Sequence, residues 1–262
     1  MSELLPRSGF DLAHLRESAA GLRSKLVRRY ELLTAPQPQG AHRPPLKLLP
    51  GEIAYYAGWL AGWAAKPCTL PKADDPKVVI LFPGFGADAR RMARMARELE
   101  CAGHKVKRWK LGYNFGPSEE NFALLSQRVA EVHERYGKQV YLVGWSLGGI
   151  FAREMAKLQP DRVAKVITLG SPFSHTPWSN NMWRTYQVLT GHAVDSPPVA
   201  VDVRAKPPVE TVALWSPLDA VISPRAARGL PGERDRAVAV RCTHLGFADS
   251  KEAIEAVGAE LA

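Results

Sequence analysis

The sequence predicts an α/β fold: a mainly parallel sheet with helices on both faces, preceded by a helical N-terminal extension over residues 1–75 and carrying a lid-like insertion over residues 171–209. Three observations predict it. The run at 78–82 has the continuous hydrophobicity of a strand covered on both faces, and those at 139–143, 163–169, 210–215 and 237–241 are strand-like. Between them lie stretches with apolar residues every three or four positions, the spacing of amphipathic helices. In mid-chain, Gly144-Trp145-Ser146-Leu147-Gly148-Gly149 joins one such run to one such helix through an abrupt turn. With 262 residues and 46% hydrophobic content the chain can bury a full core, and one α/β domain over 76–262 plus the extension fits better than two independent domains.

Taken in order, residues 11–33 place Leu12, Leu15, Ala19, Leu22, Leu26, Val27 and Tyr30 at helical spacing with a basic opposite face, and the Pro- and Gly-punctuated residues 37–45 form a loop. Residues 53–65 are apolar around the whole circumference of a helix, with Tyr55, Trp59 and Trp63 on one face. This segment is either a helix buried against the sheet or an aromatic surface that touches lipid or shapes a substrate entrance. The first core strand, 78–82, ends in Pro83-Gly84-Phe85-Gly86. Asp88 caps the next helix, Met92, Met95 and Leu99 mark its inner face, and Gly103 closes it. Residues 105–111 alternate as a more exposed strand; Ser118 opens a helix whose Phe122, Leu125, Val129 and Val132 face inward until Gly137. After the Ser146 turn a helix over 150–158 stops at Pro160, and a last helix runs from 249 to 261 with Asp249 and Glu252 at capping positions. Residues 171–209 separate two strands by far more than the usual two to six or so loop residues and carry Phe173, Trp178, Trp183 and Tyr186, which reads as a lid or pocket wall, or as a surface decoration packed by its own aromatics.

The formal charge is +9, and residues 1–50 hold eight basic against four acidic side chains. That balance suits an anionic membrane surface or solvated surface charge; with no nucleic-acid module beside it, a nucleic-acid partner is not expected. Three cysteines, Cys68, Cys101 and Cys242, have no C-x-x-C spacing and support neither a disulfide framework nor a zinc site. Residues 1–8 lack the pattern of a secretory signal, and no run reaches the roughly 18 apolar residues of a membrane span, so the expectation is a cytoplasmic protein, peripheral at most to the inner membrane face.

The Ser146 turn carries the chemistry. A serine can occupy a strained turn between strand and helix only if the residues two before and two after have little or no side chain, and Gly144 and Gly148 meet that need. Serine is a poor nucleophile near neutral pH, so it requires a general base and a group that orients the base. His244 stands just beyond the last strand, and Asp219 follows the strand before it. Asp195, Asp202 and Asp249 are the competing acids, with Asp249 the strongest rival. Oxyanion donors are read in the backbone N–H groups of Leu147 and Phe85, the latter between Gly84 and Gly86.

The order of these parts over residues 78–262, with Leu169-Gly170-Ser171-Pro172 after the next strand, resembles the α/β-hydrolase superfamily and within it the bacterial lipase and esterase branch. The resemblance implies Ser146 as nucleophile, His244 as base, Asp219 as orienting acid and Phe85 and Leu147 as oxyanion donors. It departs from that pattern at Trp145, where many lipases have histidine, and at Pro83-Gly84, where many relatives have His-Gly; early antiparallel strands are not evident. The expected activity is hydrolysis of a carboxylic ester with an apolar acyl group, with Phe173, Trp178 and Trp183 contacting substrate and no metal or organic cofactor. Alternatives are an acyltransferase using the same three residues or a low-turnover binding protein. The expected partners are a small-molecule or lipid ester and a peripheral membrane contact through the basic, aromatic N-terminal region.

Overall fold

The computed structural model describes residues 12–60 and 70–262, with side chains from residue 21 onward. Asp11, the Leu12, Leu15 and Ala19 side chains, the stretch 61–65 with Trp63, and Cys68 lie outside the described residues or side chains. Six strands form one sheet: β1 Val78–Phe82, β2 Lys105–Arg108, β3 Val140–Trp145, β4 Val163–Leu169, β5 Glu210–Trp215 and β6 Arg236–Ala239, in the order β2-β1-β3-β4-β5-β6. Every pairing is parallel.

The helices are α1 Leu12–Thr34, α2 Leu49–Leu60, α3 Ala93–Cys101, α4 Glu119–Tyr136, α5 Leu147–Leu158, α6 Trp183–Thr190, α7 Pro224–Arg228 and α8 Lys251–Leu261. Alternation along the strands divides the core between the two faces of the sheet. Val79, Leu81, Val143, Ile167 and Leu214 pack with Met95 and Leu99 of α3 and Ile254, Val257 and Leu261 of α8. Val78, Ile80, Phe82, Leu142 and Val166 pack with Leu125, Val129 and Val132 of α4 and Phe151 and Met155 of α5. The edge strand β2 keeps only Val106 buried, as its alternating sequence predicts.

Local signals act where the sequence puts them. The Ser118 side chain accepts from Asn121 N at the start of α4, and Gly137 at φ 60° ends that helix in a left-handed cap. Asp88 accepts from Arg90 N and opens a single 3-10 turn ahead of α3. One expectation is corrected. The cap of α8 is Ser250, which accepts from Ala253 N, while Asp249 is buried and paired with Arg91 at 2.7 Å. The apolar stripe of α1, Leu22, Leu26, Tyr30 and Leu33, faces solvent; α1 is held to α6 instead by buried Leu32 and by backbone carbonyls, with Gln187 donating to Leu32 O and Arg184 to Leu33 O.

Nor is α2 a helix buried all round. Ile53, Tyr56 and Leu60 are exposed, and its inward face carries Glu52, Tyr55 and Gly58. Among the described residues no helix is long and apolar enough to cross a membrane. The two roles near α8 separate by stability: Ser250→Ala is expected to lower the unfolding free energy by about 1 kcal/mol, whereas Asp249→Ala strands a buried guanidinium and costs about 3–5 kcal/mol, both read from urea unfolding midpoints.

Candidate active site

A parallel sheet brings the C-terminal ends of its strands to one edge, and a crevice opens where strand order reverses. Here that point lies between β1, whose other neighbour is β2, and β3, which continues to β4. Phe82 pairs in register with Gly144, so the turns beyond them, containing Phe85 and Ser146, emerge side by side.

Ser146 has φ 54° and ψ −122°, a conformation that L-residues rarely adopt. Its N–H donates to Leu169 O of β4 at 2.8 Å, and its carbonyl accepts from Gly149 N at 3.0 Å. The glycines around it are required by close approach: a Cβ at Gly144 would overlap the Gly148 carbonyl, and one at Gly148 would overlap the Phe82 carbonyl. α5 therefore begins at Leu147, three residues earlier than the apolar spacing alone suggests, with its first N–H groups beside the serine.

Asp219 and His244 meet on the loops after β5 and β6. Asp219 Oδ2 lies 2.8 Å from His244 Nδ1, and Asp219 Oδ1 accepts from the N–H groups of Val221 and Ile222 at 2.8 and 2.7 Å. With the carboxylate as acceptor, Nδ1 carries the imidazole proton and Nε2 is left as the acceptor. Burial of the ring opposes its protonation, but the charge and hydrogen bond of Asp219, with Glu52 adding to them, outweigh that and hold the His244 pKa above its ordinary value. The His244 carbonyl accepts from Trp145 Nε1 at 3.0 Å, and the two rings pack with centroids 5.8 Å apart. Of the competing acids, Asp249 is bonded to Arg91 and Tyr55, and Asp202 accepts from the N–H groups of Arg204 and Ala205; neither is bonded to His244.

Ser146, His244, Leu147 and Phe85 share one cavity of about 370 Å³. Its remaining walls are largely apolar: Ile150 and Phe151 from α5, Trp183 and Tyr186 from α6, Val194, Val201 and Val203 from the insertion, and Val221 and Ile222 after Asp219. Among the described residues its ionisable wall residues besides His244 are His175, Asp195 and Tyr186, and no lysine or arginine lines it. Trp183 is on the wall as expected, whereas Phe173 and Trp178 are not. Phe173 is fully buried beneath the Arg153 guanidinium, 4.1 Å from its ring centroid, so it belongs to the packing that anchors the insertion. Burial lowers the Arg153 pKa to about 10, and the same guanidinium donates to the carbonyls of Ala205 and Glu233.

Sequence reasoning missed Glu52, whose side chain accepts from His244 N, Leu245 N and Ala220 N. The available signal was a lone acid in an otherwise apolar and aromatic helix. Among the described residues no three His, Cys, Asp or Glu side chains are grouped so as to hold a metal ion.

A family model described as the alpha/beta hydrolase fold matches residues 77–191, from β1 through the Ser146 turn to α6. Over these residues the chain has the α/β-hydrolase fold. A lipase from Bacillus licheniformis superposes on this chain with a TM-score of 0.55 at 16% identity, covering 75% of this chain and 96% of its own. A monoacylglycerol lipase from Paleococcus ferrophilus gives a TM-score of 0.52 at 17% identity, covering 74% of this chain and 98% of its own. Pimeloyl-acyl-carrier-protein methyl ester esterase of Hamiltonella defensa is 38% identical over 77 residues, 28% of this chain and 29% of that relative. Homoserine O-acetyltransferase of Thermus thermophilus is 32% identical over 71 residues, 27% of this chain and 18% of that relative. The chain thus spans less than a third of either curated relative it matches.

The Asp219–His244 pair makes a measurable statement about charge. In an NMR titration the His244 ring is expected to titrate above about 6.5; Asp219→Asn removes the carboxylate charge and should bring that midpoint down.

Proposed function

We propose that this chain is a serine esterase cleaving carboxylic esters with an apolar, uncharged acyl group. The observation that carries the reading is the Asp219–His244 hydrogen bond beside a serine in a strained strand-to-helix turn, at the mouth of an apolar cavity. In the proposed reaction His244 Nε2 takes the Ser146 proton as Oγ attacks the ester carbonyl, and the resulting imidazolium is held by Asp219. The Leu147 and Phe85 N–H groups serve as donors to the tetrahedral oxyanion. Loss of the alcohol, protonated by His244, leaves an acyl-serine, and water activated by the same histidine releases the acid and restores the serine. The apolar wall built by Ile150, Phe151, Trp183, Val201, Val203 and Ile222 favours a neutral acyl chain over one ending in a carboxylate.

A fluorophosphonate probe is expected to label Ser146, and Ser146→Ala to lose labelling together with about a thousandfold or more of kcat/KM on p-nitrophenyl esters. Intact protein that never labels at Ser146 would sink the proposal. Because the base must be neutral and its pKa is raised, kcat/KM should fall on the acid side with a midpoint above about 6.5, and Asp219→Asn should lower both the midpoint and the rate.

A second reading, acyl transfer to an alcohol or thiol acceptor, is favoured by the homoserine O-acetyltransferase match. Product analysis with and without an acceptor decides: free acid in its absence supports hydrolysis, and turnover only in its presence supports transfer. The same proposal extends to the surface. Leu22, Leu26, Tyr30 and Leu33 of α1 are exposed beside Arg23, Lys25, Arg28 and Arg29, the pattern of an interfacial helix on an anionic bilayer. Cosedimentation with phosphatidylserine vesicles is expected to exceed that with phosphatidylcholine alone and to fall in Leu22→Asp/Leu26→Asp; equal recovery with both lipids overturns the contact.

A further inference from the structure

Glu52 is a buried acid, 5% exposed, whose carboxylate is held by backbone N–H groups and has no place in the proton transfer from Ser146 to His244. Its Oε1 accepts from His244 N at 2.6 Å and from Ala220 N at 3.2 Å, and its Oε2 accepts from Leu245 N at 2.9 Å. Those donors belong to two loops, one carrying Asp219 and the other His244, and all three come from more than 160 residues away in sequence. Buried N–H groups without an acceptor are costly, so a single side chain that satisfies three fixes the loops relative to each other.

The contact extends along one face of α2. Gly51 lies against Thr243, Tyr55 donates to Asp249 Oδ1 at 2.7 Å, and Trp59 stacks under the Arg91 guanidinium, which donates to Leu245 O at 2.7 Å. Positions 52, 55 and 59 recur at three and four, so a single helical stripe grips the histidine loop.

We infer that Glu52 is a positioning residue for the reaction: from outside the residues matched by the family model, it sets the separation of the Asp219 and His244 loops and places a negative charge behind the imidazole. The inference rests on the serine esterase reading. A neutral acceptor could satisfy the same N–H groups, but it would not favour the imidazolium that forms when Ser146 attacks. The charged groups facing His244 are Asp219 from the loop after β5, Glu52 from α2 and Arg91 ahead of α3, the last neutralised by Asp249.

The test compares wild type, Glu52→Gln and Glu52→Asp, each rate normalised to active sites titrated with a fluorophosphonate. For Glu52→Gln, kcat is expected to fall about ten- to a hundredfold with KM within about twofold, and the acid limb of kcat/KM to move to lower pH. Glu52→Asp keeps the charge but is one methylene short, so its acid limb should stay near wild type while kcat falls. The inference is overturned if Glu52→Gln matches wild type per active site in both kcat and acid limb, since any deficit would then be one of folding alone. It is overturned equally if neither variant can be recovered folded, which makes Glu52 a structural residue. Wild type that neither labels nor turns over ester defeats the esterase reading itself, a result distinct from both.

Discussion

Everything at the C-terminal edge of the sheet is measured from one constrained backbone position. Ser146, at φ 54°, sits in a region that costs a non-glycine residue on the order of 1–3 kcal/mol, and the surrounding structure must impose it. It does so because β3 is central. β4 supplies the Leu169 carbonyl that holds the Ser146 N–H, β1 supplies the Phe82 and Pro83 carbonyls against which Gly148 packs, and Ser171 fills the space beside Gly149. The helix dipole and the serine hydroxyl are thereby aimed at one place, and a side chain at Gly144 or Gly148 would separate α5 from the sheet that aims it.

Parallel register then creates a problem of distance. β6 stands three strands from β3, roughly 14 Å away at about 4.8 Å per strand, yet the histidine beyond β6 lines the same cavity as Ser146. The loop must travel back across the ends of β5 and β4, and past the Val240 N–Trp215 O bond something other than paired strands must supply its hydrogen-bond partners. Side chains do so instead: Ser216 Oγ donates to Cys242 O, Trp145 Nε1 donates to His244 O, and Glu52 receives the next two N–H groups. Gly170, at φ 55°, leaves room for the crossing, since a Cβ there would press on Phe247 and on Asp219 Oδ2. Trp145, the departure from the histidine common in lipases, is explained by this bond.

The sheet and its order of parts were legible because the central strands are rich in buried apolar residues and turn residues have a local reason for their identity, as Gly137 and Ser118 show. Ser146, Asp219 and His244 could be read together because the fold gathers the loops after successive strands at one edge. Features set by contacts distant in sequence could not be read. Phe173 resembles a pocket aromatic, but Arg153 covers it; Asp249 resembles a cap, but Arg91 claims it. Glu52 is the limiting case, since its three partners lie more than 160 residues further along the chain.

Two carboxylates behind one imidazole pose a balance that magnitudes can decide. Raising the His244 pKa depletes the neutral base at rest, yet stabilises the imidazolium that attack by Ser146 would generate. One pKa unit is worth about 1.36 kcal/mol of preference for the charged form. While the ring titrates below the working pH most of it stays neutral, so the loss at rest is small beside the stabilisation gained when the proton arrives. The advantage reverses once the pKa passes the working pH, because the resting enzyme then holds the proton it needs to accept. Pairing Arg91 with Asp249 limits how far Arg91 offsets the two carboxylates, and burial pulls the ring the other way. In the proposed reaction the charge around His244 would therefore be a compromise between an available base and a stabilised conjugate acid, with α2 contributing to it from outside the sheet.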